Sequence, residues 1–208
     1  MPEQPSPARL EAFSDGVIAV IITIMVLDLK VPAADGLAGF VSILPTLAVY
    51  TLSFLFTGIY WVNHHHLADR LKLVDPAILW ANLFFLFCLS LLPFFTNYLV
   101  DKHITAFPVA LYSAALLLIG LAFTILGRVL IRHILAYTDV YQPTDADGQV
   151  SETYKGIASL TIYFLGIPLA YWHPWFALTL VPLVTLIWIV PTFAVKPRHG
   201  APDMHPNA

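Results

Sequence analysis

The sequence predicts an all-α membrane protein with six transmembrane helices per subunit. Three observations predict it. Hydrophobic residues make up 59% of the 208 residues and charged residues only 11%, against about 25% charged in soluble domains. Mean hydropathy is +0.78, which leaves too little polar surface to cover a water-soluble globule of this size. Six apolar runs are separated by polar or Pro-containing turns, and lysine and arginine crowd onto alternate connections. The formal charge of −3 gives no reason to expect a nucleic-acid partner. The single cysteine, Cys88, lies in an apolar run and reads as an inert core thiol.

The first eight residues, MPEQPSPA, lack the basic region and small-residue cleavage site of a signal peptide and read as a flexible arm. Residues 9–195 read as one transmembrane domain. Residues 196–208 read as a disordered tail. The first helix is expected over about residues 10–31. From Gly16 to Leu27 its only polar side chain is Thr23. That core of twelve residues spans about 18 Å, shorter than the ~20 residues a lone spanning helix needs. Arg9 and Asp15 therefore lie at headgroup depth or inside a bundle. Pro32 and Asp35-Gly36 make the following turn.

The second helix is expected over 37–67, through Pro45, ending in Trp61-Val-Asn63-His64-His65-His66. Asp69, Arg70 and Lys72 follow in a loop. The third is expected over 76–100, with Asn82 near its start and Pro93 near its end. The fourth begins near residue 105, stays apolar to 127, then turns amphipathic through Arg128, Arg132 and His133. Residues 138–153 are polar and read as the longest soluble connection. The fifth helix covers 154–171. Trp172-His173-Pro174-Trp175 reads as an interfacial turn, and the sixth helix covers 175–195, through Pro182 and Pro191.

Six spans put both termini on one side. With the amino terminus inside, the inner segments hold Arg9, Arg70, Lys72, Arg128, Arg132, Lys155, Lys196 and Arg198, and the outer ones only Lys30 and Lys102. The positive-inside rule then places both termini in the cytoplasm.

On a helix of about 100° per residue, Gly16, Val20, Thr23, Ile24, Leu27 and Val31 share a face. Asp15 points about 140° away from Val20. Lining a pore, this stripe makes a constriction of aliphatic side chains with one hydroxyl layer, and such constrictions gate by dewetting. Ordinary packing, or contact with lipid, gives the same pattern. Arg9 and Asp15 read either as an ion or proton site or as a structural pair locking the inner end of the helix, and their position off the stripe favours the structural pair. Trp61 and His64, three apart, share a face, and His64 is within reach of Asp15, Arg9 or Asn82. Three consecutive histidines point about 100° apart and do not close on one ion. With no cysteine or carboxylate recognised at zinc spacing, no metal is expected. No bis-histidine haem arrangement and no hydrolase motif stands in the spans, so no cofactor and no enzyme activity are expected.

Arg9-x-x-x-Phe13-Ser14-Asp15 at the inner end of the first of six spans resembles the signature of the transmembrane protein 175 family of potassium channels. Trp61-x-x-His64, Asn82 and Pro93-Phe94 are similar to that family too, and the likeness covers nearly the whole hydrophobic region. The resemblance implies a single six-span unit assembling as a homotetramer, with the first helices lining a central pore for K+. It implies that Val20, five residues after the motif Asp15, forms the hydrophobic constriction. Thr23 would supply a hydroxyl layer, and Ile24 and Leu27 further aliphatic rings. Arg9, Phe13, Ser14, Asp15, Trp61, His64 and Asn82 would tie the first helix to its neighbours. Val20 stands where a larger Ile or Leu is common, which would widen the ring. The resulting expectation is passive potassium permeation in the plasma membrane. The alternatives are a proton- or ion-coupled transporter using Arg9, Asp15 and His64, and a membrane enzyme or haem protein.

Overall fold

The computed structural model describes residues 6–137 and 144–189, and all regular secondary structure among them is helical. Eight α-helices follow in order: α1 (Pro7–Met25), α2 (Gly36–Ser42), α3 (Leu44–Ala68), α4 (Pro76–Ser90), α5 (Leu92–Asp101), α6 (Ala106–Tyr137), α7 (Thr144–Trp172) and α8 (Pro174–Ile189). Among the described residues, four stretches are long and apolar enough to cross a bilayer: Pro7–Asp28, Leu44–Ala68, Pro76–Asp101 and Ala106–Ile134.

Prolines divide two of the expected helices. Pro45 and Pro93 each stand as the second residue of a new helix, where their missing N–H costs nothing. The expected second helix is therefore α2 followed by α3, hinged at Ile43. The expected third is α4 followed by α5, hinged at Leu91. The first helix stops earlier than expected. After Met25 one 3₁₀ turn, Val26–Asp28, closes it, and Leu29 is already extended, so Val31 lies outside the helix. At the other end of the chain, α7 starts ten residues before the expected residue 154. Thr144 and Asp145 open it with the residue types that favour a helix amino terminus. Residues 138–143 of the polar connection, the end of the expected sixth helix, and most of the arm and tail lie outside the described residues.

The core is built around α6. Its face Val109, Tyr112, Leu116, Ile119, Leu126 and Leu130 is buried against α4 and α7, its most extensive neighbours. Between lipid-embedded helices there is little hydrophobic drive, so close packing carries association. Gly120 and Gly166 permit it. A Cβ at Gly120 would sit 2.9 Å from Leu160 Cδ2, and one at Gly166 would sit 3.1 Å from Ser113 Oγ. An aromatic cluster of Phe56, Tyr60, Phe85, Phe123 and Tyr163 joins α3, α4, α6 and α7. Against this bundle α1 packs on α3 and α4.

Candidate functional site at the first helix

α1 has two unlike faces. Leu10, Ser14, Ile18, Ile21 and Met25 are buried within the subunit. They recur every three to four residues, as one face of a helix must. The other face is bare. Val20 is 53% exposed and Ile24 46%, and Leu27, in the 3₁₀ turn that continues this face, is 78% exposed. Thr23 is exposed among them, and its Oγ1 donates to the carbonyls of Ala19 (2.9 Å) and Val20 (3.0 Å). Phe13 lies exposed near the start of the helix.

The buried face ends in a knot of polar side chains. Ser14 Oγ donates to Leu10 O at 2.8 Å. With its hydrogen spent there, Ser14 accepts from Asn82 Nδ2 at 2.9 Å. That fixes the Asn82 amide, so Oδ1 faces His64 Nε2 at 2.8 Å. His64 must then carry its proton on Nε2, a tautomer assigned by the network. Ser14, His64 and Asn82 are at most 2% exposed, and the His64 ring stacks on Phe85 at 6.0 Å. One line of bonds thus joins α1, α4 and α3.

Beside this knot, two helical rungs cross. Glu11 and Asp15 are four apart on α1, and Trp61 and His65 are four apart on α3, so each pair shares a face. Trp61 Nε1 donates to Asp15 Oδ1 at 2.9 Å. His65 Nδ1 lies 2.8 Å from Glu11 Oε1, and its Nε2 lies 3.5 Å from Asp69 Oδ2. Trp61 and His65 stack at 6.1 Å. The order Glu11–His65, Asp15–Trp61 is that of two antiparallel helices.

The structure therefore brings Ser14, His64 and Asn82 together, and Asp15 with Trp61. His64 meets Asn82, while Asp15 meets the indole. Arg9 is exposed and has no ion-pair partner among the described residues, so it forms no pair with Asp15. Glu11, His65 and Asp69 are the residues that sequence reasoning passed over. Their signal was the spacing of four from Asp15, Trp61 and His65 respectively. A second polar group, inside the bundle, was also missed. Ser53 Oγ donates to Val49 O (3.0 Å) and so accepts from Thr96 Oγ1 (2.9 Å) and Tyr112 OH (2.8 Å), all buried.

An all-helical bundle with four bilayer-length stretches, cross-tied by buried hydrogen bonds, defines a multi-pass integral membrane protein. Comparison with known proteins narrows the class. The family described as "Endosomal/lysosomal potassium channel TMEM175" matches residues 9–93. A potassium channel of Chryseobacterium sp. is 43% identical over 183 residues, covering 88% of this chain and 92% of that protein. One of Streptomyces collinus is 41% identical over 123 residues, 55% of this chain and 60% of that protein. The crystal structure of a TMEM175 homologue from Chamaesiphon minutus, described as a lysosomal potassium-selective channel, superposes with a TM-score of 0.73. It is 23% identical and covers 89% of this chain and 97% of that one. The chain belongs to the TMEM175 family, and it is an ion channel rather than an enzyme.

Proposed function

We propose that the chain is one subunit of a potassium-permeable channel, with four copies of α1 around a central conduction path. The observation that carries this reading is the bare apolar face of α1. Val20, Ile24 and Leu27 are about half exposed or more in the subunit, while the opposite face of the same helix is buried and pinned by Ser14. Four such faces meeting on an axis make stacked aliphatic rings, which resist water until they widen. Thr23 contributes a layer of a different kind. Its hydroxyl hydrogen is spent on the backbone carbonyls, so the oxygen lone pairs remain to receive a partly dehydrated cation. Passive conduction of K+ needs no cofactor and no metal in the subunit.

In this reading Ser14, Asp15, Trp61, His64 and Asn82 hold α1 at a fixed angle, and Arg9 and Phe13 sit at its mouth. Residues 9–195 form the six-span channel domain, flanked by the arm and the tail. Both termini lie in the cytoplasm and the tetramer sits in the plasma membrane. The distribution of Lys and Arg supports that orientation.

Reconstitution into planar bilayers under opposed K+ and Na+ gradients tests the proposal. Unitary currents reversing toward the K+ equilibrium potential are the expected result. Val20→Asn and Leu27→Asn should raise the current by wetting the rings. Strict coupling to a proton gradient without unitary steps would overturn it, and unchanged currents in both variants would remove α1 from the ion path.

A further inference from the structure

The contacts of His65 hold an unresolved charge balance. A neutral imidazole has one N–H, so it satisfies one carboxylate and turns a lone pair toward any other. His65 has a carboxylate at each nitrogen, Glu11 Oε1 at 2.8 Å and Asp69 Oδ2 at 3.5 Å. Among the described residues neither carboxylate has a Lys or Arg within 4.0 Å. Two carboxylates therefore flank opposite edges of a ring that stacks on Trp61.

We propose that Glu11, His65 and Asp69 bind a divalent transition-metal ion that ties the amino-terminal end of α1 to the carboxy-terminal end of α3. One donor atom from each lies within 4.8 Å of the others. Zinc–ligand bonds of about 2.0–2.2 Å put tetrahedral donors roughly 3.3 Å apart, so closure on one ring nitrogen needs about 1.5 Å of movement in half-exposed side chains. His65 in the last turn of α3 and Asp69, which caps that helix in αR conformation, are four residues apart, a spacing that presents two ligands on one face. Glu11 comes from α1, so the ion bridges two helices. The imidazole donor selects borderline metals of the zinc class over magnesium or calcium, which prefer all-oxygen shells. Solvent reaches the cluster and supplies the remaining ligand. The site stands apart from the apolar face of α1, and its existence does not depend on what that face conducts.

Zn2+ titration of the detergent-purified channel by calorimetry, with thermal unfolding alongside, tests the site. One Zn2+ per chain and a raised Tm are expected. Glu11→Gln, His65→Gln and Asp69→Asn should each weaken binding by about tenfold or more, whereas His66→Gln should not. Co2+ bound to the unmodified protein should show visible absorption of a low-coordinate nitrogen and oxygen site. That readout needs no variant to fold. The proposal is overturned by absence of Zn2+ binding, by His65→Gln binding as the native chain does, or by a Tm that rises on acidification but not with Zn2+. The last outcome would assign the positive charge to a proton on His65.

Discussion

Replacing Asn82 with alanine removes the central link between α1 and α3. Asn82 is 1% exposed and makes two side-chain bonds, accepting from His64 Nε2 and donating to Ser14 Oγ. Both are side chain to side chain, between different helices. In a bilayer such bonds average about 0.6 kcal/mol each and reach about 1.7, because the separated helices find other partners. Two bonds give about 1–3 kcal/mol. The buried Nε2–H of His64 loses the acceptor it has in the native chain, which pushes the cost toward the upper end. At about 1.4 kcal/mol per tenfold change, the unfolding constant should rise roughly five- to a hundredfold. Equilibrium unfolding in mixed micelles with increasing SDS measures this, at fixed protein concentration because assembly contributes to apparent stability. A double-mutant cycle with His64→Ala isolates the single shared bond, with an expected coupling of about 0.6–1.7 kcal/mol. Coupling within about 0.3 kcal/mol of zero would refute the reasoning, since the bond would then hold nothing that the helices do not already hold.

Three further outcomes follow from packing and polar satisfaction. Ser53→Ala strips the shared acceptor from the buried hydroxyls of Thr96 and Tyr112, and the same unfolding assay should show a loss of about 1–3 kcal/mol. Gly39→Ala drives its Cβ into the backbone carbonyl of Ala34, which has no flexible end to yield. A destabilisation of about 1–3 kcal/mol is expected. Gly156→Ala, which meets nothing within 4 Å, should be neutral or stabilise α7 by up to about 1 kcal/mol. Equal effects at the two glycines would remove close approach as the cause of the loss at Gly39.

Which elements were legible in the sequence, and which were not, follows from how local each signal is. The apolar core of α1 and the run of α4 through α6 were plain, because a bilayer demands long hydrophobic segments whatever they pack against. The ends were less legible. A proline in an apolar run gives the same sequence whether it kinks one helix or opens another. At Pro45 and Pro93 it opens another, since the position just inside a helix start needs no N–H. The apolar stripe Val20, Ile24, Leu27 was readable from periodicity. That it is left bare by its own subunit was not, since periodicity marks a face without saying what covers it.

The polar residues divide in the same way. Ser14, Asp15, Trp61, His64 and Asn82 stood out as polar groups in apolar surroundings, which the sequence alone determined along with the membrane class and the charge asymmetry of the loops. Their pairing was decided only by tertiary structure. Ser14 and Asn82 are 68 residues apart, and Asp15 and Trp61 are 46 apart. No local rule sets which donor meets which acceptor at such separations. The antiparallel crossing of α1 with α3, together with its packing on α4, sets it. The same crossing carries Glu11 to His65 across 54 residues, joining carboxylates and imidazole that the linear spacing had kept apart.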